Sequence, residues 1–389
     1  MFSLGNQPLS NALPHVNDKK EDSLFPLDLR ICTNCGLGQI GEFVSPEGIF
    51  SDYSYFSSAS KSWLSHCSSF ANDIVEEMNL GESDLVLEIA SNDGYLLQYF
   101  QDKKIQVLGI EPAVNVANEA IARGIPTINR FFGTVLAEEL LANGIYPSLV
   151  VCNNVLAHVP DINDFLGGLR VLAKTGSIIS IEAPSMLELL KSNLFDTIYH
   201  EHFSYLSTHS VKYLAALHDL TLFIVDLIET HGGSFRYWLA YGEKEIDNSV
   251  EKIMGIETSE GLLSEELHNH FALSSQTAIN LFRDWVLSYP GRIIGFGAAA
   301  KATVLINAAN LTADQLVLIA DSSPSKQNRF IPGCRIPILS PKDAFSRLPD
   351  AVLIFPWNIS EELIKQISTQ FPEFNGEIWK ALPVMQQIK

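Results

Sequence analysis

Leu85-Val86-Leu87-Glu88-Ile89-Ala90-Ser91-Asn92-Asp93-Gly94 is an apolar run of strand length that ends in small and polar residues. A helix-length segment, Tyr95–Gln101, follows it. A strand feeding a small-residue turn and then a helix lets a nucleoside approach the strand end. Glu111 closes the next apolar run, Val107–Ile110, seventeen residues beyond Gly94. An acid in that place can take both ribose hydroxyls. The loop lacks the G-x-G-x-x-G spacing of dinucleotide folds and sets an acid, Glu88, before the turn. That order favours S-adenosylmethionine over NAD.

The pattern continues outward from this unit. Strand-length runs at Leu149–Cys152 and Ile178–Ile181 alternate with helical segments Val114–Ala122, Val135–Asn143 and Ile162–Leu172. Such alternation predicts a parallel sheet with helices on both faces. Upstream, Lys61–Leu80 reads as an amphipathic helix, with Trp63, Leu64, Phe70, Ile74 and Met78 near helical spacing. Downstream, Leu220–Ile228 and Ser234–Tyr241 suit an antiparallel pair at the sheet edge. Val151-Cys152-Asn153-Asn154 ends the fourth strand, and polar residues there face the ligand crevice. His158, four residues on, is placed to look into it.

A second glycine loop, Gly295-Phe296-Gly297-Ala298-Ala299-Ala300-Lys301, follows strand Arg292–Ile294 and opens helix Ala299–Ala309. It fits G-x-G-x-x-A, and Asp321 ends the next strand, Leu316–Ala320. Ala351–Phe355 and Ser360–Thr369 extend the unit. Backbone N–H groups with Lys301 nearby suit a diphosphate. The expected organisation is α/β: a small loop-rich N-terminal unit (1–60), an S-adenosylmethionine-binding domain (61–245), a helical connector (246–290) and a C-terminal Rossmann-like domain (291–389). A site between the two α/β units follows.

Composition narrows the partners. The 389 residues carry a net charge of −19 and no basic stripe, which argues against nucleic acid. No apolar run reaches the ~20 residues of a transmembrane helix, and the first residues lack the features of a signal peptide. A cytoplasmic setting without membrane contact is expected; oligomeric state is not legible. The five cysteines are too few and too scattered for a disulfide framework. Cys32-x-x-Cys35 is half of a tetrahedral zinc site. Cys67, Cys152 and Cys334 lie in unsuitable places and His15 is the nearby alternative, so a structural zinc stays an open expectation.

Ile198-Tyr199-His200-Glu201-His202-Phe203-Ser204-Tyr205 packs two imidazoles, a carboxylate and two phenols into eight residues. Those groups move protons near neutral pH and stabilise oxyanions. The two histidines share a side if the segment is extended and diverge if it is helical. Without a convincing third ligand, acid–base work is a better reading than metal binding. Glu229-Thr230-His231-Gly232-Gly233-Ser234-Phe235-Arg236 adds glycine-permitted backbone approach and one cation.

With Tyr53-Ser54-Tyr55-Phe56-Ser57-Ser58, His158-Val159-Pro160-Asp161 and the motifs above, the chain resembles the nucleotide-sugar C-methyltransferases of the 3-C-methyltransferase type. The motifs run in family order over nearly the whole chain. The resemblance implies a class I methyltransferase fold between an N-terminal zinc-binding unit and a C-terminal Rossmann-like domain. It implies S-adenosylmethionine as cofactor and a nucleotide-diphosphate 4-keto-deoxyhexose as substrate. His202 is then the general base. Glu201 orients an imidazole or binds the sugar, and Tyr199, His158 and Tyr55 or Tyr53 donate to the developing oxyanion. Glu88, Ala90, Asn92, Gly94, Tyr95, Glu111, Asn153 and Asn154 are expected on the cofactor. Tyr53, Ser57, His200, His231, Gly232, Gly233, Ser234 and Arg236 are expected on the substrate, with Gly297, Ala298, Ala299, Lys301 and Asp321 of the second loop. Two departures stand out. No second Cys-x-x-Cys precedes Leu4–Leu9, and Ala90 replaces a usual glycine, which a negative φ would allow. The alternative reading takes the second loop literally, as the site of an NAD(P)-dependent oxidoreductase.

Overall fold

The computed structural model describes residues 1–44, 56–228 and 233–389. Strand β1 (Phe2–Pro8) pairs antiparallel with β2 (Leu24–Ile31), and β2 pairs with β3 (Gly38–Gln39). The expected loop-rich unit therefore contains a small antiparallel sheet. Alternation carries it: Leu27 and Leu29 point inward and are buried, while their neighbours Asp28 and Arg30 are not.

The central sheet is built from β4 (Leu85–Ile89), β5 (Gln106–Ile110), β6 (Thr127–Ile128), β7 (Leu149–Asn153) and β8 (Ile178–Pro184), all parallel. Alternate residues of a strand feed opposite faces. Val86 packs with Phe70 and Ile74 of helix Lys61–Glu77, whereas Leu87 and Ile89 pack with Phe165 and Leu169 on the other face. The two-residue β9 (Ser204–Tyr205) leaves this region and pairs with β3, so the N-terminal sheet closes over the segment that holds the histidines.

The chain then adds β10 (Leu220–Ile228) and β11 (Ser234–Tyr241) to the central sheet. Its order is β10-β11-β8-β7-β4-β5-β6, with β11 antiparallel to both neighbours. This is the class I methyltransferase order, and the expected antiparallel pair is present. The order reverses between β4 and β7, which sets a crevice at their carboxyl ends.

The helical connector is two helices, Asn248–Ser259 and Glu265–Ser288. Gly261 at φ +79° breaks it, and the Ser264 side chain caps the second helix by accepting from Leu267 N–H. The C-terminal sheet has seven strands where three were read. β12 (Ile293–Phe296), β13 (Ile319–Ala320), β14 (Arg329–Phe330), β15 (Pro337–Leu339), β16 (Ala351–Ile354), β17 (Glu377–Lys380) and β18 (Gln386–Gln387) lie in the order β14-β15-β13-β12-β16-β17-β18. The inner five are parallel and the two edges antiparallel. Its order reverses at β12, from whose end the second glycine loop leaves. One core joins Phe2 and Leu29, Phe195 and Ile198, Phe271 and Phe282, and Val304 and Leu353. The segment before the histidines is thus packed by both terminal regions. Among the described residues no helix is long and apolar enough to cross a membrane.

Candidate active site between two glycine loops

At the first loop, three residues take the left-handed conformation: Ala90 at φ +56°, Asn92 at +49° and Gly94 at +79°. The expectation of a negative φ at Ala90 is corrected. The backbone turns where a glycine serves best, and alanine there costs about 1–2 kcal/mol. Neighbours hold the turn in place. Ser91 N–H donates to Ile110 O, and Asn92 N–H donates to Glu111 Oε2 at 2.9 Å. The other Glu111 oxygen accepts from Ala113 N–H at 2.8 Å. Burial pushes the Glu111 carboxyl up against these two donors. Asp93 pairs with Arg123 at 3.1 Å and accepts from the Ser58 hydroxyl. A Cβ at Gly94 would stand 2.8 Å from Ile125, so that glycine is needed for space as well as for φ.

Orphaned polar atoms gather where β4 and β7 end. Both Glu88 oxygens, Ser91 Oγ, Asp93 Oδ1, both amide atoms of Asn153 and Asn154 Oδ1 are buried without a full hydrogen bond among the described residues. Burial drives the Glu88 carboxyl well above its ordinary range, with the nearby Tyr95 hydroxyl pulling the other way. An unmet buried polar atom costs about 1–3 kcal/mol, so such a concentration marks a ligand crevice. Hydroxyls, an ammonium and a purine edge match these donors and acceptors, and S-adenosylmethionine carries all of them. Asn154 is itself at φ +54°. Ser57, expected on the substrate, instead covers the first loop: its N–H donates to Asn92 Oδ1 at 3.0 Å.

The Tyr-His-Glu-His residues do not act as one group. Residues 200 and 201 form a turn, so their side chains leave in different directions. His202 Nδ1 lies 2.9 Å from Thr197 O. A carbonyl only accepts, so Nδ1 carries the proton and Nε2 the lone pair. The His202 ring sits between Tyr199, at 4.0 Å between centroids, and His158, at 4.6 Å and 70°. His158 Nδ1 donates to Glu201 O at 2.8 Å, and burial lowers its pKa to about 4, so it is neutral at pH 7. The Tyr205 hydroxyl accepts from Tyr199 N–H.

His200 turns the other way. Its Nε2 meets Pro26 O at 3.2 Å, and its ring packs edge-on to Phe25 and Phe43. These contacts anchor His200 on the N-terminal sheet, and its Nδ1 is buried without a hydrogen-bond partner among the described residues. Glu201 is buried, and both its oxygens accept from Asn11 Nδ2, at 2.9 and 2.7 Å. Burial raises it to about 7 against that amide and the Lys326 charge. It therefore faces the second loop rather than His202.

Around the second loop, Gly297 is at φ +90°, and a Cβ there would stand 2.5 Å from Pro356. Ala298 N–H donates to Asp321 Oδ2 at 2.7 Å, and Ser323 N–H donates to the other oxygen. Ala299 caps helix Ala300–Ala308 with no side-chain acceptor. Lys326 Nζ donates to Ala298 O at 2.9 Å. Lys301 Nζ donates to Asn358 Oδ1 at 2.8 Å and lies 4.1 Å from the centre of the Trp357 ring. The two lysines flank the segment 196–201, Lys301 near Asp196 and Lys326 near Glu201.

Arg236 is not an open cation. It pairs with the buried Glu182, which also meets His66 Nε2 at 2.8 Å, and its guanidinium stacks on Phe70 at 3.6 Å. These contacts tie it to β8 and to helix Lys61–Glu77. Ser234 is fully buried opposite Pro184. Gly233 lies at φ +113°, with Glu188 where a Cβ would be. Tyr53, Tyr55, His231 and Gly232 fall outside the described residues. Sequence reading missed Asn11, His66, Glu182, Asp196, Lys326 and Trp357. Only Glu182, an acid inside an apolar strand, carried a local signal.

Cys32 and Cys35 lie in a turn closed by Gly36 N–H donating to Cys32 O. Among the described residues no third His, Cys, Asp or Glu joins them. His15 bridges to Arg329 and accepts from Asn17 N–H. Two thiols do not fit a four-ligand zinc site, and no role is routed through one.

Comparison with known proteins bears on this geometry. Residues 63–223 match a family model described as "Methyltransferase domain", 229–383 one described as "C-methyltransferase C-terminal domain", and 1–50 one described as "Putative zinc binding domain". The magnesium protoporphyrin IX methyltransferase of Synechocystis, solved with bound S-adenosylmethionine, aligns over 46% of this chain and 79% of its own at 14% identity and TM-score 0.34. An S-adenosylmethionine-dependent methyltransferase of Anabaena variabilis aligns over 45% of this chain and 84% of its own at 11% identity and TM-score 0.36. The C-methyltransferase NovU of Streptomyces niveus is 33% identical over 98% of this chain and 92% of its own length. With that identity end to end and the methyltransferase sheet order at its centre, the chain belongs to the S-adenosylmethionine-dependent C-methyltransferase family.

Proposed function

We propose that the protein methylates C3 of a nucleotide-linked 4-keto-deoxyhexose, with His202 as general base. The observation that carries the reading is the His202 hydrogen bond to Thr197 O, in which Nδ1 carries the proton and Nε2 keeps the lone pair. A proton α to a ketone becomes removable when the enolate oxygen is stabilised. His202 Nε2 takes that proton, and the released pair moves onto the C4 oxygen. An imidazole is a side chain suited to proton transfer near neutrality. The Tyr199 phenol, packed against the His202 ring, is the donor to the developing oxyanion in this reading. His158, expected from sequence as a second donor, spends its one proton on Glu201 O when neutral and packs against the base instead.

Glu88, Asn92, Glu111, Asn153 and Asn154 hold the cofactor in this reading, with Ala90, Gly94 and Tyr95 shaping its loop. S-adenosylmethionine supplies the electrophilic methyl group that C3 accepts. The Gly297 loop, the uncapped helix behind it and Lys301 hold the diphosphate, with Asp321 clamping the loop. Support for a keto-sugar comes from an acid–base cluster whose preceding turn, Phe195–Thr197, packs on the helix that the lysine-flanked loop opens.

The test is mass spectrometry on a panel of nucleotide-linked 4-keto sugars with S-adenosylmethionine. A gain of one methyl group on the sugar is expected. Wild type should also exchange the C3 proton in deuterated water while His202→Asn does not. Methylation confined to oxygen or nitrogen, or exchange undiminished in the variant, overturns the reading.

A further inference from the structure

The turn Phe195–Thr197 belongs to no motif legible in the sequence, yet its Thr197 carbonyl fixes the tautomer of His202. Between them in the chain, Asp196 is buried. Its Oδ2 accepts from Trp357 Nε1 at 2.9 Å, and its Oδ1 has no hydrogen-bond partner among the described residues. Trp357 follows β16 at the same sheet edge as the second glycine loop, next to the Pro356 that crowds Gly297. Helix Ala300–Ala308 packs directly on the Asp196 turn. Lys301 at its start is held by a neutral amide and a ring face while its charge acts on Asp196.

We propose that Asp196 is a positioning residue that couples anion binding at the Gly297 loop to the orientation of His202, with Lys301 as the group that moves. The inference rests on the reading of that loop as a diphosphate site. A phosphate oxygen is a stronger partner for an ammonium than an amide oxygen and an indole face. Drawing Lys301 to the anion withdraws the cation that favours a buried carboxylate. Asp196, anchored through one oxygen and unsatisfied at the other, is the group that must then re-pair. Its backbone continues into Thr197, whose carbonyl holds His202, so the adjustment reaches the base within one peptide unit. The base is then set for proton removal when the nucleotide is in place.

The experiment is NMR of the full chain carrying 13C-histidine, titrated with inorganic pyrophosphate in metal-free buffer. The His202 Cε1–H signal is identified by its loss in His202→Asn. Pyrophosphate should bind wild type and move that signal. Lys301→Met should weaken pyrophosphate by about tenfold or more, the loss of one charge-assisted contact. Asp196→Asn keeps an acceptor for Trp357, so pyrophosphate should still bind while the His202 shift falls by at least half. Trp357→Phe keeps the ring for Lys301, removes the N–H and should do the same. Wild-type binding that leaves His202 unmoved overturns the coupling alone, as does a full shift in both Asp196→Asn and Trp357→Phe. Absence of pyrophosphate binding to wild type overturns the diphosphate reading and the coupling with it.

Discussion

The loop after β4 and the loop after β12 each leave a parallel strand at a point where sheet order reverses. In each, the acid ending the next strand accepts from a loop amide: Glu111 from Asn92, and Asp321 from Ala298. Their surroundings differ in charge. Glu88, Asp93 and Glu111 surround the first, with Arg123 the paired cation. Lys301 and Lys326 flank the second. The same backbone device therefore suits opposite ligands, and on the reading proposed here charge sorts a cationic sulfonium nucleoside from an anionic diphosphate. His202 belongs to neither: it meets Thr197, Tyr199, Tyr205 and His158.

The largest effect expected follows from that independence. His202→Asn should lower methyl transfer by roughly 10²–10⁴-fold, the usual contribution of a general base. Binding of both ligands, measured by calorimetry, should stay within about threefold because His202 holds neither. A large affinity loss would place the histidine in one of the two loops instead.

Next come the clamps. Glu111→Gln should weaken S-adenosylmethionine by about tenfold or more, as expected for losing hydrogen bonds to a charged group, and leave the KM for the nucleotide sugar unchanged. Gly297→Ala forces a Cβ against Pro356 and should do the reverse. Equal effects on both ligands would mean that the loops do not divide the work.

The methyltransferase sheet was legible at β4, β5, β7 and β8, which have five or more residues each and alternate with helical segments, but not at β6, which has two. The outer strands of the C-terminal sheet were not, because β14 and β18 have two residues each and no periodicity to read. The N-terminal strands did alternate, at Leu27-Asp28-Leu29-Arg30, but frequent Pro, Asn and Ser around them hid the signal. His202 and His158 were legible as chemistry, and the structure brings their rings together. His200 and Arg236 were equally conspicuous and point elsewhere, since residue type does not tell which way a turn sends a side chain. The oxidoreductase alternative arose from a glycine loop whose backbone serves several ligands alike.

A smaller effect concerns pH. Native Glu201 keeps its proton up to about pH 7, while the unfolded chain releases it near the ordinary pKa of ~4.3. Between these values the native state binds more protons than the unfolded one. This group's contribution to stability is therefore full below the lower pKa and is lost as pH rises through about 7. Glu201→Gln removes that loss. Thermal unfolding should show the variant gaining on wild type between pH 5 and pH 8, and an unchanged difference would mean that the carboxylate is well paired when ionised.

The smallest effect tests the first loop's backbone. Ala90→Gly relieves a positive φ but adds freedom to the unfolded chain, so a net gain of about 0.5–1 kcal/mol is expected. Denaturant titration measures it. A loss would show that the Ala90 methyl contributes more by packing than its φ costs.

The pairing of β3 with β9 has a practical consequence for recombining such enzymes. A crossover near residue 60 would join one parent's N-terminal sheet to another parent's Ser204–Tyr205, splitting a strand pair two residues from His202. Chimeras meant to trade substrate range should therefore inherit the opening forty residues and the histidine segment from the same parent. Libraries built on linear domain boundaries will lose activity at that seam even when every domain folds.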